Sequence, residues 1–185
     1  MRRILVAALG LALAAAGPAR AGDLEEARGL VGTFASRLKG ELAAALQEGG
    51  PERAVAVCRE KAPKIARELS EKTGWRVGRT ALRVRNPRNA PDAWERQGLE
   101  ALARRLSQGK PAASLEIAEV VDGPDGKRFR YLKAIPTGTP CLTCHGENLA
   151  PGLATKIREL YPEDRATGFR AGELRGAFTL SKPLP

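Results

Sequence analysis

The sequence has very few of the residues that usually bind metals and cofactors. Its 185 residues include one His, one Met and three Cys, and aromatic residues make up only 4% of the chain. A Zn²⁺ site needs four protein ligands, or three and a water. With a single His, a zinc site would have to draw its remaining ligands from cysteines such as Cys58 and from carboxylates.

The sequence also lacks internal repeats, low-complexity tracts and, after residue 21, any apolar run long enough to cross a bilayer. We therefore predict no integral membrane span once residues 1–21 are removed. Residues 22–185 number 164, the size of a single domain with a substantial hydrophobic core.

Residues 1–21 have the features of a secretory signal peptide. They begin with two arginines, continue through a short apolar run at 4–16, and end in the cleavage pattern Ala19-Arg20-Ala21. The mature chain is predicted to begin at Gly22 and to be periplasmic or otherwise exported. An uncleaved membrane anchor is the alternative interpretation.

The balance of charge is strongly basic. Cleavage removes three arginines and no acids, so the formal net charge falls from +10 to +7. Since an exported protein rarely meets nucleic acid, we expect no nucleic-acid partner. The charge favours association with an acidic redox partner protein or an anionic membrane surface. A basic protein without such a partner is an equally open interpretation.

The run Cys141-Leu142-Thr143-Cys144-His145 is the clearest chemical signal in the sequence. The C-x-x-C-H pattern is typical of covalent haem c attachment, in which two thiols form thioether bonds to the porphyrin. His145 then becomes the proximal iron ligand. A thiol redox pair that happens to precede a His, or half of a zinc site, are the alternatives. The motif predicts one covalent haem c, and the predicted export agrees with it.

The sixth iron ligand cannot be either of the common ones. The only Met is Met1, inside the signal peptide, and the only His is His145. Cys58, a Lys, Tyr131 or Tyr161, the new amino terminus, water, or no ligand at all remain. Cys58 is favoured as the distal ligand because thiolate binds iron strongly. A buried core thiol and an intermolecular disulfide are its alternatives. A thiolate ligand would lower the reduction potential, since it stabilises ferric iron.

Hydrophobic periodicity and turn residues predict an α+β fold with a small antiparallel sheet. The long N-terminal helix could pack on the domain or extend from it as the arm of a homodimer. The predicted elements are helices over 23–48, 51–73 (ended by Gly74), 91–109 and 151–160, strands over 75–85, 115–122 and 127–135, and a last strand from Leu174.

Cys58 lies on the apolar face of the second predicted helix. This face consists of Val55, Cys58, Ala62, Ile65 and Leu69. Pro63 lies within the same helix and cannot donate a backbone hydrogen bond, so a kink is expected just after Cys58.

Several well-spaced motifs resemble those of the PAS-like c-type haem domain family, first catalogued as a domain of unknown function. They are Ala54–Cys58 with Ala62-Pro63, Arg85–Glu95, Cys141–Gly146, and residues between Tyr161 and Phe178, including Asp164, Ala166, Phe169 and Arg175. The resemblance implies a PAS-like antiparallel sheet flanked by helices. It also implies His/Cys axial ligation, here by His145 and Cys58. In that family the domain occurs alone after a signal peptide or fused to signalling modules. No signalling module follows residue 185 here, so signal transmission would require a partner protein.

The surroundings of the haem are less well defined by sequence. Arg79, Arg83, Arg85 and Arg88 are equal candidates for binding its propionates. Trp75, Trp94, Phe129 and Tyr131 could line the haem, although ordinary core positions suit aromatics better.

We therefore expect a monohaem, low-potential electron carrier or redox sensor rather than an enzyme. The alternatives are a haem-based gas sensor, an enzyme of sulfur-compound oxidation, and a haem-free thiol oxidoreductase using Cys141 and Cys144.

Overall fold

The computed structural model describes residues 18–185. The predicted signal peptide at 1–21 therefore lies almost entirely outside the described residues. The helices are α1 (Pro18–Thr73), α2 (Ala93–Ser107), α3 (Leu142–His145) and α4 (Pro151–Leu160), and the strands are β1 (Arg76–Thr80), β2 (Glu116–Gly123), β3 (Gly126–Pro136) and β4 (Leu174–Pro183). Within this part of the chain, no helix combines the length and apolarity that crossing a membrane requires.

Helix α1 is folded back on itself at Gly49 and Gly50. Gly49 leaves the helical region and Gly50 has φ +67°, a conformation that glycine adopts readily. Two ion pairs then join the halves in an antiparallel arrangement, Arg37 with Glu68 and Lys61 with Glu41. The two helices predicted on either side of Gly49-Gly50 are confirmed, as is the termination at Gly74, where φ is +74°.

The second half of α1 continues through Pro63. Only Gly49 and Gly50 have non-helical backbone angles within α1, so the helix is not interrupted at Pro63. The kink expected after Cys58 stays a prediction. The predicted face is confirmed at its apolar positions, because Val55, Ala62 and Ile65 are buried.

The four strands form one antiparallel sheet in the order β1-β4-β3-β2. The predicted hairpin is confirmed as β2 and β3, whose register brings Gly123 opposite Gly126. The strand predicted over 75–85 is too long, since β1 ends at Thr80. The reason is that the Ala81 N–H donates to the carbonyl of Asn89 (3.3 Å), which turns the chain away from β4.

Helices cover both faces of the sheet. Side chains alternate along a strand, so one strand supplies both cores. The core on the α1 side includes Phe34, Trp75, Phe129, Tyr131 and Leu180, and the core on the α2 side includes Leu99, Leu102, Leu132, Ala134 and Ala177. The long N-terminal helix thus packs on the sheet instead of extending as an arm. The predicted α+β class, with an antiparallel sheet flanked by helices, is confirmed.

A β-bulge interrupts the β3–β4 ladder beside the C-x-x-C-H motif. Ile135 pairs with Gly176 and Pro136 pairs with Leu174, so Arg175 is an extra residue of β4 without a partner on β3. Bulges redirect a side chain and occur near functional sites. The bulge therefore sets the direction of Arg175 at the sheet end where the motif follows β3.

Candidate functional site

The C-x-x-C-H motif forms a single tight turn of helix. Thr139–Cys141 is a 3₁₀ turn that continues directly into α3. Cys141 and Cys144 are three positions apart, so their side chains lie on the same side of this turn. Both thiols are free and half-buried. The backbone thus presents two unbonded thiols together, followed at once by His145.

The imidazole of His145 is oriented by a backbone carbonyl. Its Nδ1 donates to the carbonyl oxygen of Ala166 at 2.7 Å. With the proton on Nδ1, the other ring nitrogen, Nε2, keeps its lone pair for a metal. The ring of Phe169 stands edge-on to the imidazole, with 6.3 Å between the ring centroids. This is the arrangement that a metal-binding histidine requires.

The carbonyl that orients His145 belongs to a loop tied closely to the motif. The Phe169 N–H donates to the carbonyl of His145 (2.9 Å), and the Gly168 N–H donates to that of Gly146 (2.8 Å). These two bonds join the loop to the motif, so the position of the loop after α4 determines where the imidazole points.

A buried ion pair between Arg85 and Asp164 supports this unit. The Arg85 Nε and Nη2 each lie 3.2 Å from a different oxygen of Asp164, and the two side chains are both 8% exposed. Arg85 Nη2 also donates to the carbonyl of Cys144 at 2.6 Å. Asp164 Oδ1 in turn accepts from the Ala166 N–H at 2.9 Å. One guanidinium thus connects the helix of the C-x-x-C-H motif to the loop that orients His145.

The electrostatic surroundings keep the imidazole neutral. Burial is the main cause that lowers the pKa of His145 to about 3, and the positive charges of Arg175 and Arg85 add to it. The hydrogen bond to Ala166 opposes this shift. At neutral pH the ring is therefore uncharged, which is the form that binds a metal.

Cys58 lies close to the motif, on the second half of α1. Its thiol is free and half-buried. Val55, one turn earlier, packs in a cluster with Tyr161 and Cys144. Burial raises the pKa of the Cys144 thiol, and the charge of Cys58 acts in the same direction. Burial and then Cys58 likewise raise the pKa of Tyr161 to about 12. The fold therefore brings Cys58 into the same region as Cys144.

The residues fit a haem better than a metal bound by protein groups alone. Within residues 18–185, no group of three or more His, Cys, Asp or Glu side chains is spaced to hold a metal ion. The site does provide two adjacent free thiols and an imidazole with one nitrogen engaged. Arg175 adds a buried Nε that has no hydrogen-bond partner in this part of the chain. An iron porphyrin, which brings its own ring nitrogens and carboxylates, matches this set.

The aromatic candidates from the sequence lie elsewhere. Trp75, Phe129 and Tyr131 belong to the core on the α1 side of the sheet. Trp94 lies in the first turn of α2, donates from Nε1 to Glu119 at 2.7 Å, and packs against Arg130. The aromatic ring beside His145 is that of Phe169.

The sequence indicates no role for Asp164, Ala166 or Phe169. It offers Arg85 only as one of four equal candidates for binding the haem propionates. The only signal was that all four residues belong to motifs of the resemblance. Because the Ala166 contribution comes from a backbone carbonyl, no side-chain pattern could have revealed it.

Comparison with known proteins finds relatives over almost the whole chain. The Tll0287-like family matches residues 19–183. The structure is similar to the crystal structure of the cyanobacterial haem protein Tll0287, with 28% sequence identity and a TM-score of 0.67. The similarity covers 92% of this chain and 98% of that one. No curated protein matches the chain.

Proposed function

Because this chain belongs to the Tll0287-like family, we propose that it is an exported monohaem c-type cytochrome. Cys141 and Cys144 form the thioether bonds, His145 is the proximal iron ligand, and Cys58 is the distal ligand. The similarity to a haem protein over nearly the whole chain supports haem binding. When bound, the haem supplies one-electron redox chemistry, and the protein residues attach it, orient it and set its potential.

The geometry of His145 carries this proposal. Its Nδ1 is committed to the Ala166 carbonyl at 2.7 Å, and free thiols lie in the turn immediately before it. A purely structural role for this histidine would not account for the two free thiols in the preceding turn. The hydrogen bond fixes the tautomer and the ring orientation, as it does for histidine ligands of metals generally.

The location of Cys58 supports its role as the distal ligand. It is half-buried, and it lies near Cys144 without forming a disulfide with it. A thiolate opposite a histidine donates negative charge to the iron, which favours the ferric state and lowers the reduction potential. We therefore propose that the protein is a low-potential electron carrier or a redox sensor.

Export and the character of the sheet belong to the same proposal. Residues 1–21 would direct the chain out of the cytoplasm, and haem c is attached outside the cytoplasm. The PAS-like interpretation is supported by the sheet order, in which the first and last strands, β1 and β4, are neighbours. A redox partner protein, acidic in charge, would receive or supply the electron.

Absorption spectra of the exported protein test the proposal. The full-length chain is produced in a host that attaches haem c, and ferric and ferrous spectra are compared with those of Cys58→Ala. Val57→Ala serves as the control, because Val57 is a buried neighbour in the same helix. We expect a low-spin thiolate–ferric spectrum in the wild type, its loss in Cys58→Ala, and its retention in Val57→Ala.

Any other result shows which part of the functional proposal is wrong. Identical spectra for the wild type and Cys58→Ala would make Cys58 a core thiol. Binding of carbon monoxide to the wild-type ferrous protein would then favour the gas sensor, and turnover of thiosulfate would favour the sulfur-oxidising enzyme. A colourless protein from a host that loads other c-type cytochromes would overturn haem attachment altogether.

A further inference from the structure

Three arginines lie close enough to His145 for their charges to lower its pKa, namely Arg175, Arg85 and Arg79. Arg85 is neutralised by Asp164. The other two have no ion pair with any residue in the described part of the chain. Both side chains are half-buried. A cation that is partly withdrawn from water without a partner is costly, so a pair of them beside one site requires an explanation.

Arg175 is the residue added by the bulge in β4. Its Nη1 donates to the carbonyl of Arg83 at 3.2 Å, while its buried Nε has no partner within residues 18–185. Its guanidinium carbon lies 5.2 Å from the centre of the Phe169 ring, which stands beside His145. Burial lowers its pKa to about 10, and Arg85 and Arg79 add to this. A guanidinium has five N–H donors, and here most are left for a ligand.

Arg79 lies on the neighbouring strand, on the face that α1 covers. It pairs across the ladder with Phe178, and its guanidinium carbon is 5.9 Å from the centre of the Phe34 ring. No hydrogen bond from its side chain reaches any other residue between 18 and 185. Burial lowers its pKa, and the charges of Cys58 and Tyr161 oppose that shift. Arg79 is thus a second cation without an ion pair in the described residues, and it lies on the face of the sheet that is covered by α1, the helix that carries Cys58.

We propose that Arg79 and Arg175 bind the two propionate groups of the haem. The guanidinium fork matches a carboxylate in shape and charge, and a charge-assisted pair offsets the cost of holding two half-buried cations without a partner. The other arginines are less suitable, since Arg85 is occupied by Asp164 and both Arg83 and Arg88 are exposed. This assignment rests on the proposed haem function. It adds a carboxylate-binding site and includes Arg175, which was not among the propionate candidates from the sequence.

The test uses the haem-loaded protein and the variants Arg79→Gln and Arg175→Gln, with Arg88→Gln as a matched control on the surface. Resonance Raman spectroscopy reports the propionate bending mode, which responds to hydrogen bonds at the carboxylate. We expect this mode to shift in both variants and not in the control. The midpoint potential at pH 8 should fall in both, because removing a nearby positive charge favours ferric iron. Circular dichroism verifies folding. Arg79→Lys or Arg175→Lys replaces any variant that does not fold, with the propionate mode as the only readout because Lys keeps the positive charge.

The outcomes separate this inference from the function beneath it. If the wild type carries haem and the propionate mode is unchanged in both variants, the arginine assignment is wrong while the cytochrome proposal stands. If the potential alone shifts, the arginines act through their charge and do not contact the propionates, which also overturns the assignment. If the wild type lacks haem, both proposals fail.

Discussion

Arg85 and Asp164 form a two-pronged ion pair, with 3.2 Å between each of two guanidinium nitrogens and a carboxylate oxygen. Both side chains are 8% exposed. The pair lies between the carbonyl of Cys144 and the loop that carries the Ala166 carbonyl. Its position makes it the structural support of the His145 imidazole.

The first prediction concerns the stability that this pair provides. Arg85→Met leaves the Asp164 carboxylate buried without its cation, so the free energy of unfolding should fall by about 3–5 kcal/mol. Arg170→Met removes an exposed pair with Glu147, in which the side chains are 75% and 50% exposed, and it serves as the control. In Arg170→Met the free energy of unfolding should fall by less than about 1 kcal/mol. Urea unfolding followed by circular dichroism measures both, and similar losses in the two variants would contradict the prediction.

The second prediction concerns the reduction potential of the proposed haem. Asp164→Ala removes the acceptor for the Ala166 N–H, whereas Asp164→Asn keeps an oxygen there. A displaced loop would weaken the hydrogen bond from His145 Nδ1 to Ala166. An imidazole that is less strongly hydrogen-bonded would donate less to the iron of the proposed haem. The potential should therefore rise more in Asp164→Ala than in Asp164→Asn, as measured by spectroelectrochemical titration. Equal potentials in both variants would show that the loop is held by other contacts.

The third prediction tests the close approach of β1 and β4 next to the bulge. A Cβ at Gly176 would lie 2.5 Å from the carbonyl oxygen of Thr80, whereas a Cβ at Gly78 would lie 3.6 Å from the Thr179 Cγ2. Gly176→Ala should cost about 1–3 kcal/mol, because a backbone atom must move. Gly78→Ala should be neutral or stabilise the protein by up to about 1 kcal/mol. Thermal and urea unfolding measure the difference, and equal stability of the two variants would count against the ladder geometry.

The fourth prediction concerns acid stability. The hydrogen bond from Arg28, with help from Tyr131 and Lys133, lowers the pKa of Glu116 from 4.5 to about 2. Because the folded state holds the carboxylate ionised, this contribution is complete above about pH 4.5 and is lost as the pH falls towards 2. The difference in unfolding free energy between the wild type and Glu116→Gln should therefore be constant above pH 5 and shrink below it.

Arg28→Gln provides the companion measurement for Glu116. The hydrogen bond from Arg28 is the largest cause of the lowered pKa of Glu116, so removing it should raise that pKa. The loss of stability on acidification should then begin at a higher pH than in the wild type. Urea unfolding at a series of pH values records both variants. A difference between the wild type and Glu116→Gln that does not change with pH would rule out the assigned ion pair.

Much of the fold was predictable because its signals are local. Gly50 and Gly74 adopt positive φ angles that suit glycine, and they end helices where expected. Asp92 and Glu95 form a capping box at the start of α2, where the sequence predicts a helix. The strand after Trp75 is the exception. Its residues have strand character up to Arg85, but a hydrogen bond to Asn89 ends it at Thr80.

The chemical groups of the site can be read from a local motif, since Cys141, Cys144 and His145 lie within five consecutive residues and a single turn of helix presents them together. How these groups are held depends on contacts between distant parts of the chain. Arg85 and Asp164 are 79 positions apart, and the Ala166 carbonyl reaches His145 across 21 positions. Such contacts depend on how the whole chain folds around the sheet, and a backbone carbonyl or a bulged Arg175 leaves no local pattern in the sequence to mark it.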